Sequence, residues 1–257
     1  MRLPAVFRLT MRNILVNTDP GTMFFMLGIP AFYLLVMGLM LQAIIPNFTY
    51  NGVSTSYITF LAPGIVGMQA FTAGSIGGSM LWADRRWGMF EQLLVGPFRR
   101  SEYLMGIMLV AVFFSLAGSA IMMVLAYFIS PDFAITLFSS LFMVFSLIVG
   151  AVLFTSMFLI ISVLVRSMQA YNTITILLFF LIDFASTAFY PISPSTPFVL
   201  RWISSVNPLS LIVNIVRDSM VYGISGATYL ASLVVLFVTL ILFMVSLKMY
   251  GNVRTGI

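Results

Sequence analysis

The chain has 257 residues, of which 61% are hydrophobic and 7% charged, and its formal net charge is +5. A soluble domain carries about 25% charged residues, so this sequence lacks a surface suited to water, and we predict that lipid is its solvent. It contains no histidine and no cysteine, which excludes disulfides, cysteine nucleophiles and metal sites built from these residues. No glycine-rich loop ends in Gly-Lys followed by Ser or Thr, which excludes an ATP site of the P-loop kind. We therefore predict no catalytic, cofactor-binding or metal-ligating residue on this chain.

The first predicted element is an amphipathic helix over residues 3–16 that lies in the plane of the membrane interface. Its apolar side chains recur at helical spacing, and two arginines fall on another face. The alternative is an ordinary basic flank of the first span. The residues assigned to the surface of this helix are Phe7, Arg8, Met11 and Arg12.

Long apolar runs then predict an all-α membrane protein, with 1–257 forming a single transmembrane domain. About 20 helical residues cross the core of a bilayer, and six runs come close to that length or exceed it. Asp19 and Pro20 have the pattern of a helix N-cap followed by a proline at the first helical position, and Pro30 predicts a kink. The predicted spans are 22–45, 57–81, 103–129, 133–165, 172–190 and 228–247.

A charged interval over 82–102 separates the second span from the third. Seven of the nineteen charged residues lie in it. Trp87, Phe90, Leu93 and Leu94 recur at spacings of three and four, so they predict a short helix with one apolar face. Such a face fits into a groove of a partner protein or lies on the membrane, and the residues alone leave both interpretations open.

The segment 191–226 differs from the rest of the chain. It contains four prolines, yet it stays rich in apolar residues. It is therefore too broken for a straight span and too apolar for a solvated loop. We predict a pair of short re-entrant helices that dip into the outer interface.

Asp183 is the clear ionisable residue inside a predicted span. Such residues are functional candidates by default, and Asp183 is our candidate for a transport pathway. The structural alternative is that its carboxylate pairs with a serine, a backbone group or Arg201.

The distribution of Lys and Arg predicts the orientation. With six spans, ten of these residues fall on the side of the termini and the 82–102 loop, and two fall on the other side. The excess marks the cytosolic side, so we predict N-in and C-in topology. The cytosolic set is Arg2, Arg8, Arg12, Arg85, Arg86, Arg99, Arg100, Arg166, Lys248 and Arg254, and the outer set is Arg201 and Arg217.

Two ordered motifs, Pro63-Gly64 with Asp84-Arg85-Arg86 and Tyr190-Pro191 with Asn207-Pro208-Leu209, resemble those of the type-2 ABC exporter permeases, the ABC-2 membrane family. Members include the membrane subunits of daunorubicin-type drug, nodulation-factor and polysaccharide exporters. The first motif joins Pro63-Gly64 to the charged loop, and the second joins Tyr190-Pro191 to an Asn-Pro-Leu triplet and a later arginine. The resemblance implies a coupling helix that contacts an ATPase through Asp84, Arg85, Arg86, Gly88, Glu91, Leu93, Leu94 and Pro97. It also implies an outer re-entrant gate that contains Pro191, Asn207, Pro208, Leu209 and Arg217.

The resemblance further implies what the chain does. It would be a non-catalytic permease subunit that moves a hydrophobic or amphipathic solute outward. ATP and Mg would bind a separate ABC ATPase subunit, and the other partners would be a second permease copy and membrane lipid, without nucleic acid. We expect the plasma membrane of a bacterium or archaeon. The alternative, an ATPase-independent secondary transporter or channel, often shows inverted repeats, and we see no convincing similarity between the two halves of this sequence.

Overall fold

The structure is a computed structural model that describes residues 4–50, 52–89, 92, 95, 99–193 and 195–251. It is 82% helical, which confirms the predicted helical class. The helices are α1 (Ala5–Val16), α2 (Pro20–Ile44), α3 (Tyr57–Arg86), α4 (Arg100–Ile129), α5 (Leu137–Leu164), α6 (Met168–Phe184), α7 (Phe198–Val206), α8 (Pro208–Tyr222) and α9 (Gly226–Gly251). The strands are β1 (Asn47–Tyr50) and β2 (Val53–Ser56).

The helices fit a membrane protein. Within the described residues, α2, α3, α4, α5 and α9 are long and apolar enough to cross a bilayer. The α7–α8 pair, which is bent by 79°, adds a sixth crossing if it is counted as one broken span, and otherwise forms a re-entrant loop. The sequence predicted a pair of short re-entrant helices in this segment. The structure contains two helices there, and their re-entrant arrangement stays a prediction.

The predicted fifth span is shorter than expected. The sequence placed it at 172–190, but α6 ends at Phe184 and has 17 residues. The hydroxyl of Ser186 donates to the backbone oxygen of Asp183 at 2.6 Å and accepts from the Ala188 N–H at 3.1 Å. A serine side chain that bonds nearby backbone in this way competes with the helical pattern, which accounts for the early end.

The segment between the first two predicted spans forms a β-hairpin. β1 and β2 pair antiparallel, with Asn47 opposite Ser56 and Tyr50 opposite Val53. Gly52 at the turn has a φ of 80°, a left-handed conformation that glycine adopts without steric penalty. Aromatic and β-branched residues on both sides favour strands.

Several helix ends also differ from the prediction. α3 continues to Arg86 instead of 81, and α4 begins at Arg100 instead of 103. The last turn of α3 contains Arg85 and Arg86, which interact favourably with the negative end of the helix dipole. Glu102 starts α4 by accepting a hydrogen bond from the Arg99 N–H at 2.7 Å. The charged loop is therefore shorter than the sequence indicated.

α3 is the centre of the fold, because its whole apolar stretch is buried by the other elements. It packs against α4, α5 and α8. Glycines allow this approach: a Cβ added at Gly74 would lie 2.5 Å from the Phe154 Cβ, and one added at Gly78 would lie 2.5 Å from the Phe158 Cβ. Small residues let membrane helices pack closely, so these glycines serve packing.

The middle of α2 is not a regular α-helix. Asp19 caps it by accepting from the Gly21 and Thr22 N–H groups, and Pro20 occupies the first turn, as predicted. Pro30 lies between two π-helical segments, Phe24–Gly28 and Tyr33–Met37. A proline removes a backbone donor from the helix, and π-helical turns occur mostly as single-turn bulges inside α-helices.

Candidate functional site

The arginine-rich end of the helical bundle is held together by Asp84. Its Oδ1 accepts from the Arg12 Nη2 at 3.2 Å, and its Oδ2 accepts from the Tyr103 hydroxyl at 2.8 Å. These bonds join α1, α3 and α4. The sequence analysis assigned Arg12 to the interfacial helix and Asp84 to the ATPase contact. The structure pairs the two side chains with each other, and both roles stay predictions. Tyr103 was missed, because nothing in the spacing indicates that it reaches Asp84.

α1 presents two different faces. Leu9 and Asn13 are buried, and a Cβ added at Gly106 of α4 would lie 3.2 Å from the Leu9 Cβ. Phe7 and Met11 are exposed. The helix therefore packs on α4 through one side and offers apolar side chains on the other, a pattern typical of a helix at a membrane interface.

The loop after α3 exposes large apolar side chains. Trp87 is 78% exposed and Val95 is 90% exposed. Gly88 follows the helix end with a φ of 67°, the left-handed conformation that commonly terminates helices. The other predicted members of the coupling helix, Glu91, Leu93, Leu94 and Pro97, lie outside the described residues, so the helix itself stays a prediction.

The Asn-Pro-Leu triplet forms the bend between α7 and α8. Asn207 Oδ1 accepts from the Leu209 N–H at 2.9 Å, and Asn207 Nδ2 donates to the Ile182 carbonyl of α6 at 2.8 Å. Pro208 occupies the first helical position, where a missing N–H has no cost. The triplet therefore both starts α8 and ties it to α6. Pro191 lies in the non-helical stretch between α6 and α7.

Arg217 is fully buried at the junction of four segments. Its Nε donates to the Phe60 carbonyl at 3.2 Å, its Nη2 to the Thr187 carbonyl at 2.7 Å and its Nη1 to the Asn214 Oδ1 at 3.0 Å. The guanidinium carbon lies 3.9 Å from the centre of the Phe60 ring. The same guanidinium carbon lies 6.0 Å from the centre of the ring of Tyr50, in the hairpin. The guanidinium thus links α8, α3, the stretch after α6 and β1.

The carboxylate of Asp183 forms none of the predicted pairings. It is fully buried, and neither of its oxygens has a hydrogen-bond partner among the described residues. Ser186 bonds the backbone oxygen of Asp183 instead of the carboxylate, and Arg201 is exposed on α7. A buried polar group without a partner is rare in a folded protein, so Asp183 is an unexplained group next to the end of α6.

A pocket of about 400 Å³ opens between α2, α3 and α6. These helices correspond to the first, second and fifth predicted spans. Hydroxyl and amide groups dominate its polar lining, and no charged side chain lines it among the described residues. Its polar lining residues are Asn17, Thr22, Ser75, Ser79, Tyr171, Asn172 and Thr175.

This combination of long apolar helices, a bent helix pair and an exposed apolar loop defines a multi-pass integral membrane protein without a recognisable reaction centre in its described residues. The family model described as ABC-2 type transporter matches residues 4–221. The chain therefore belongs to the ABC-2 type transporter family, as the sequence motifs indicated, and it is a membrane permease of that family. Membership implies the membrane subunit of an ABC transporter, which normally works with an ATP-binding subunit. No curated protein matches the chain in a sequence comparison.

Proposed function

We propose that this chain is the permease subunit of an exporter that moves a hydrophobic or amphipathic solute outward. Hydrolysis of ATP, with its Mg, takes place on a separate ABC ATPase subunit. The observation that carries this proposal is the family match over 4–221. The expected setting is the plasma membrane of a bacterium or archaeon, with both termini in the cytosol.

The proposed contact with the ATPase is the loop between α3 and α4. Trp87 and Val95 offer exposed apolar surface there, and arginines lie at both ends of the loop. An apolar face with a charged rim fits a groove on a partner. Arg85, Arg86 and Gly88 would position this surface, while Arg12 and Asp84 would hold α1 against its base. Phe7, Arg8 and Met11 of α1 form the expected second contact.

The proposed pathway runs beside the pocket between α2, α3 and α6, and a second copy of the chain would complete its wall. The bend at Asn207-Pro208-Leu209 and the junction at Arg217 would form the outer gate, with Pro191 beside it. In the proposed transport cycle, ATP binding favours one arrangement of the two copies over the other, as a ligand must do to shift an equilibrium. Asp183 lies close to this route and remains its candidate ionisable residue.

The experiment that tests this proposal uses the absence of cysteine from the sequence. Val95→Cys creates a single thiol in the loop, and it is crosslinked in native membranes with and without ATP. The matched control is Phe128→Cys, an exposed position about 40 Å away along α4. We expect Val95→Cys to capture a P-loop ATPase, identified by mass spectrometry, with a yield that changes with nucleotide.

The control should capture no ATPase. If Val95→Cys reacts with lipid-embedded probes and forms no adduct with an ATPase, the loop lies on the bilayer. An ATPase-independent secondary transporter or channel would then be the better interpretation.

A further inference from the structure

A second site, which shares Arg85 and Arg86 with the proposed ATPase contact, lies where the ends of α3 and α5 meet. A cleft of about 490 Å³ opens between them. It is lined by Trp82, Arg85, Arg86, Val163, Leu164, Val165 and Arg166. Three arginines therefore line one cleft together with a tryptophan and three aliphatic residues.

The charges in this cleft do not balance. The C-terminal ends of α3 and α5 contribute about half a negative charge each. The three arginines outweigh them by about two positive charges, and no acidic residue lines the cleft among the described residues. Asp84, the acidic residue closest in sequence, accepts its hydrogen bonds from Arg12 and Tyr103. An anion in the cleft would relieve this repulsion.

Two of the guanidiniums are held in place. Arg85 Nη1 donates to the Ser162 carbonyl at 3.2 Å, and the guanidinium carbon of Arg86 lies 5.6 Å from the centre of the Trp82 ring. A guanidinium has five donors in a planar fork that matches a phosphate group. Each of these contacts therefore orients an arginine without using all of its donors.

The apolar part of the lining identifies the kind of anion. Leu164 is exposed at the end of α5, next to Val163 and Val165. A soluble anion gains nothing from these side chains, whereas a phospholipid places its acyl chains against them and its phosphate near the arginines. Basic pockets between membrane helices are known to bind anionic head groups, and tryptophan favours the membrane–water interface.

We propose that this cleft binds the phosphate head group of an anionic phospholipid. The site is independent of the exported solute and of the pocket between α2, α3 and α6. The bound lipid would neutralise the converging arginines and hold the end of α3 against the turn that precedes α6.

The test measures lipid binding to the purified full-length chain by native mass spectrometry. Phosphatidylglycerol and phosphatidylcholine with the same acyl chains are titrated separately. The variants are Arg166→Gln, Arg86→Gln and the pair together, and the control is Arg201→Gln, which removes an exposed charge on α7. We expect about a fivefold loss of phosphatidylglycerol affinity for each cleft arginine removed, and no change for phosphatidylcholine or for the control.

Three results would overturn the proposal. The first is equal affinity for both lipids in the unaltered chain. The second is full displacement of phosphatidylglycerol by millimolar inorganic phosphate, which would make the site one for free phosphate. The third is unchanged lipid binding in the double variant together with lost binding of an ATPase subunit, which would assign the arginines to protein contact. Arg166→Lys keeps the positive charge. If this variant still binds phosphatidylglycerol, the weaker binding of Arg166→Gln is due to the lost charge and not to misfolding.

Discussion

Replacing Arg217 by lysine tests the buried junction between α8 and α3. Arg217→Lys keeps the positive charge but replaces a planar fork of five donors with one ammonium group. The guanidinium donates from three different nitrogens to acceptors on Phe60, Thr187 and Asn214. Its Nη2 also lies 3.5 Å from a fourth acceptor, the Ala188 carbonyl oxygen. A single ammonium nitrogen cannot occupy all three positions, and we expect it to keep one of these bonds.

The magnitude follows from the two lost bonds. A hydrogen bond to a charged group contributes about 1.5–3 kcal/mol, so the free energy of unfolding should fall by about 3–6 kcal/mol. For a chain of this size each kcal/mol lowers the melting temperature by about 2–4 °C. We therefore expect Arg217→Lys to melt at least about 6 °C below the unaltered chain.

The assay is thermal unfolding of the purified protein in detergent, followed by tryptophan fluorescence. Arg201→Lys is the matched control, because Arg201 is exposed on α7. This variant should melt at the same temperature as the unaltered chain. If Arg217→Lys melts within about 2 °C of the unaltered chain, the effect is below about 1 kcal/mol. The three bonds would then not stabilise the junction, and the reasoning would be refuted.

Three further substitutions test the core, the buried acid and the charged end. Gly74→Ala brings a Cβ to 2.5 Å from the Phe154 Cβ, so we expect the free energy of unfolding to fall by about 1–3 kcal/mol. The control is Gly226→Ala, where an added Cβ meets nothing within 4 Å. Equal melting temperatures of the two variants would contradict the packing argument. Asp183→Leu removes a buried carboxylate that has no hydrogen-bond partner among the described residues. The melting temperature of this variant should therefore be higher than that of the unaltered chain. A lower melting temperature would indicate that the carboxylate has a partner. Asp84→Ala removes the acceptor that joins α1 to α3 and α4, so limited proteolysis should cut α1 faster, whereas an unchanged rate would show that α1 is held by other contacts.

Local patterns predicted the elements whose determinants are close in sequence. Asp19 and Pro20 start α2 as predicted. Asn207 with Pro208 starts α8 by the same kind of local pattern, although the sequence analysis assigned this motif only to the outer gate. In each case the side chain that fixes the helix end lies within three residues of the backbone group it binds. Apolar runs likewise predicted the long helices, because the bilayer imposes their length.

The features that the sequence could not predict depend on distant contacts or on one competing side chain. Arg217 was placed at an outer gate, but its burial depends on Phe60, 157 positions away. The pairing of Arg12 with Asp84 spans 72 positions, so no local pattern could indicate it. The early end of α6 depends on the hydroxyl of Ser186, which an apolar run over 172–190 does not reveal.

The burial of α3 also has a consequence for how the chain enters a membrane. α3 is the least apolar of the helices able to cross a bilayer, and the other elements shield its whole apolar stretch from lipid. Gln69 and Thr72 are buried within it, which a lone helix in lipid would tolerate poorly. During synthesis α3 emerges before α4 and α5, the helices that cover it. Its stable insertion should therefore wait for them, so that truncation after α3 would leave this segment outside the bilayer.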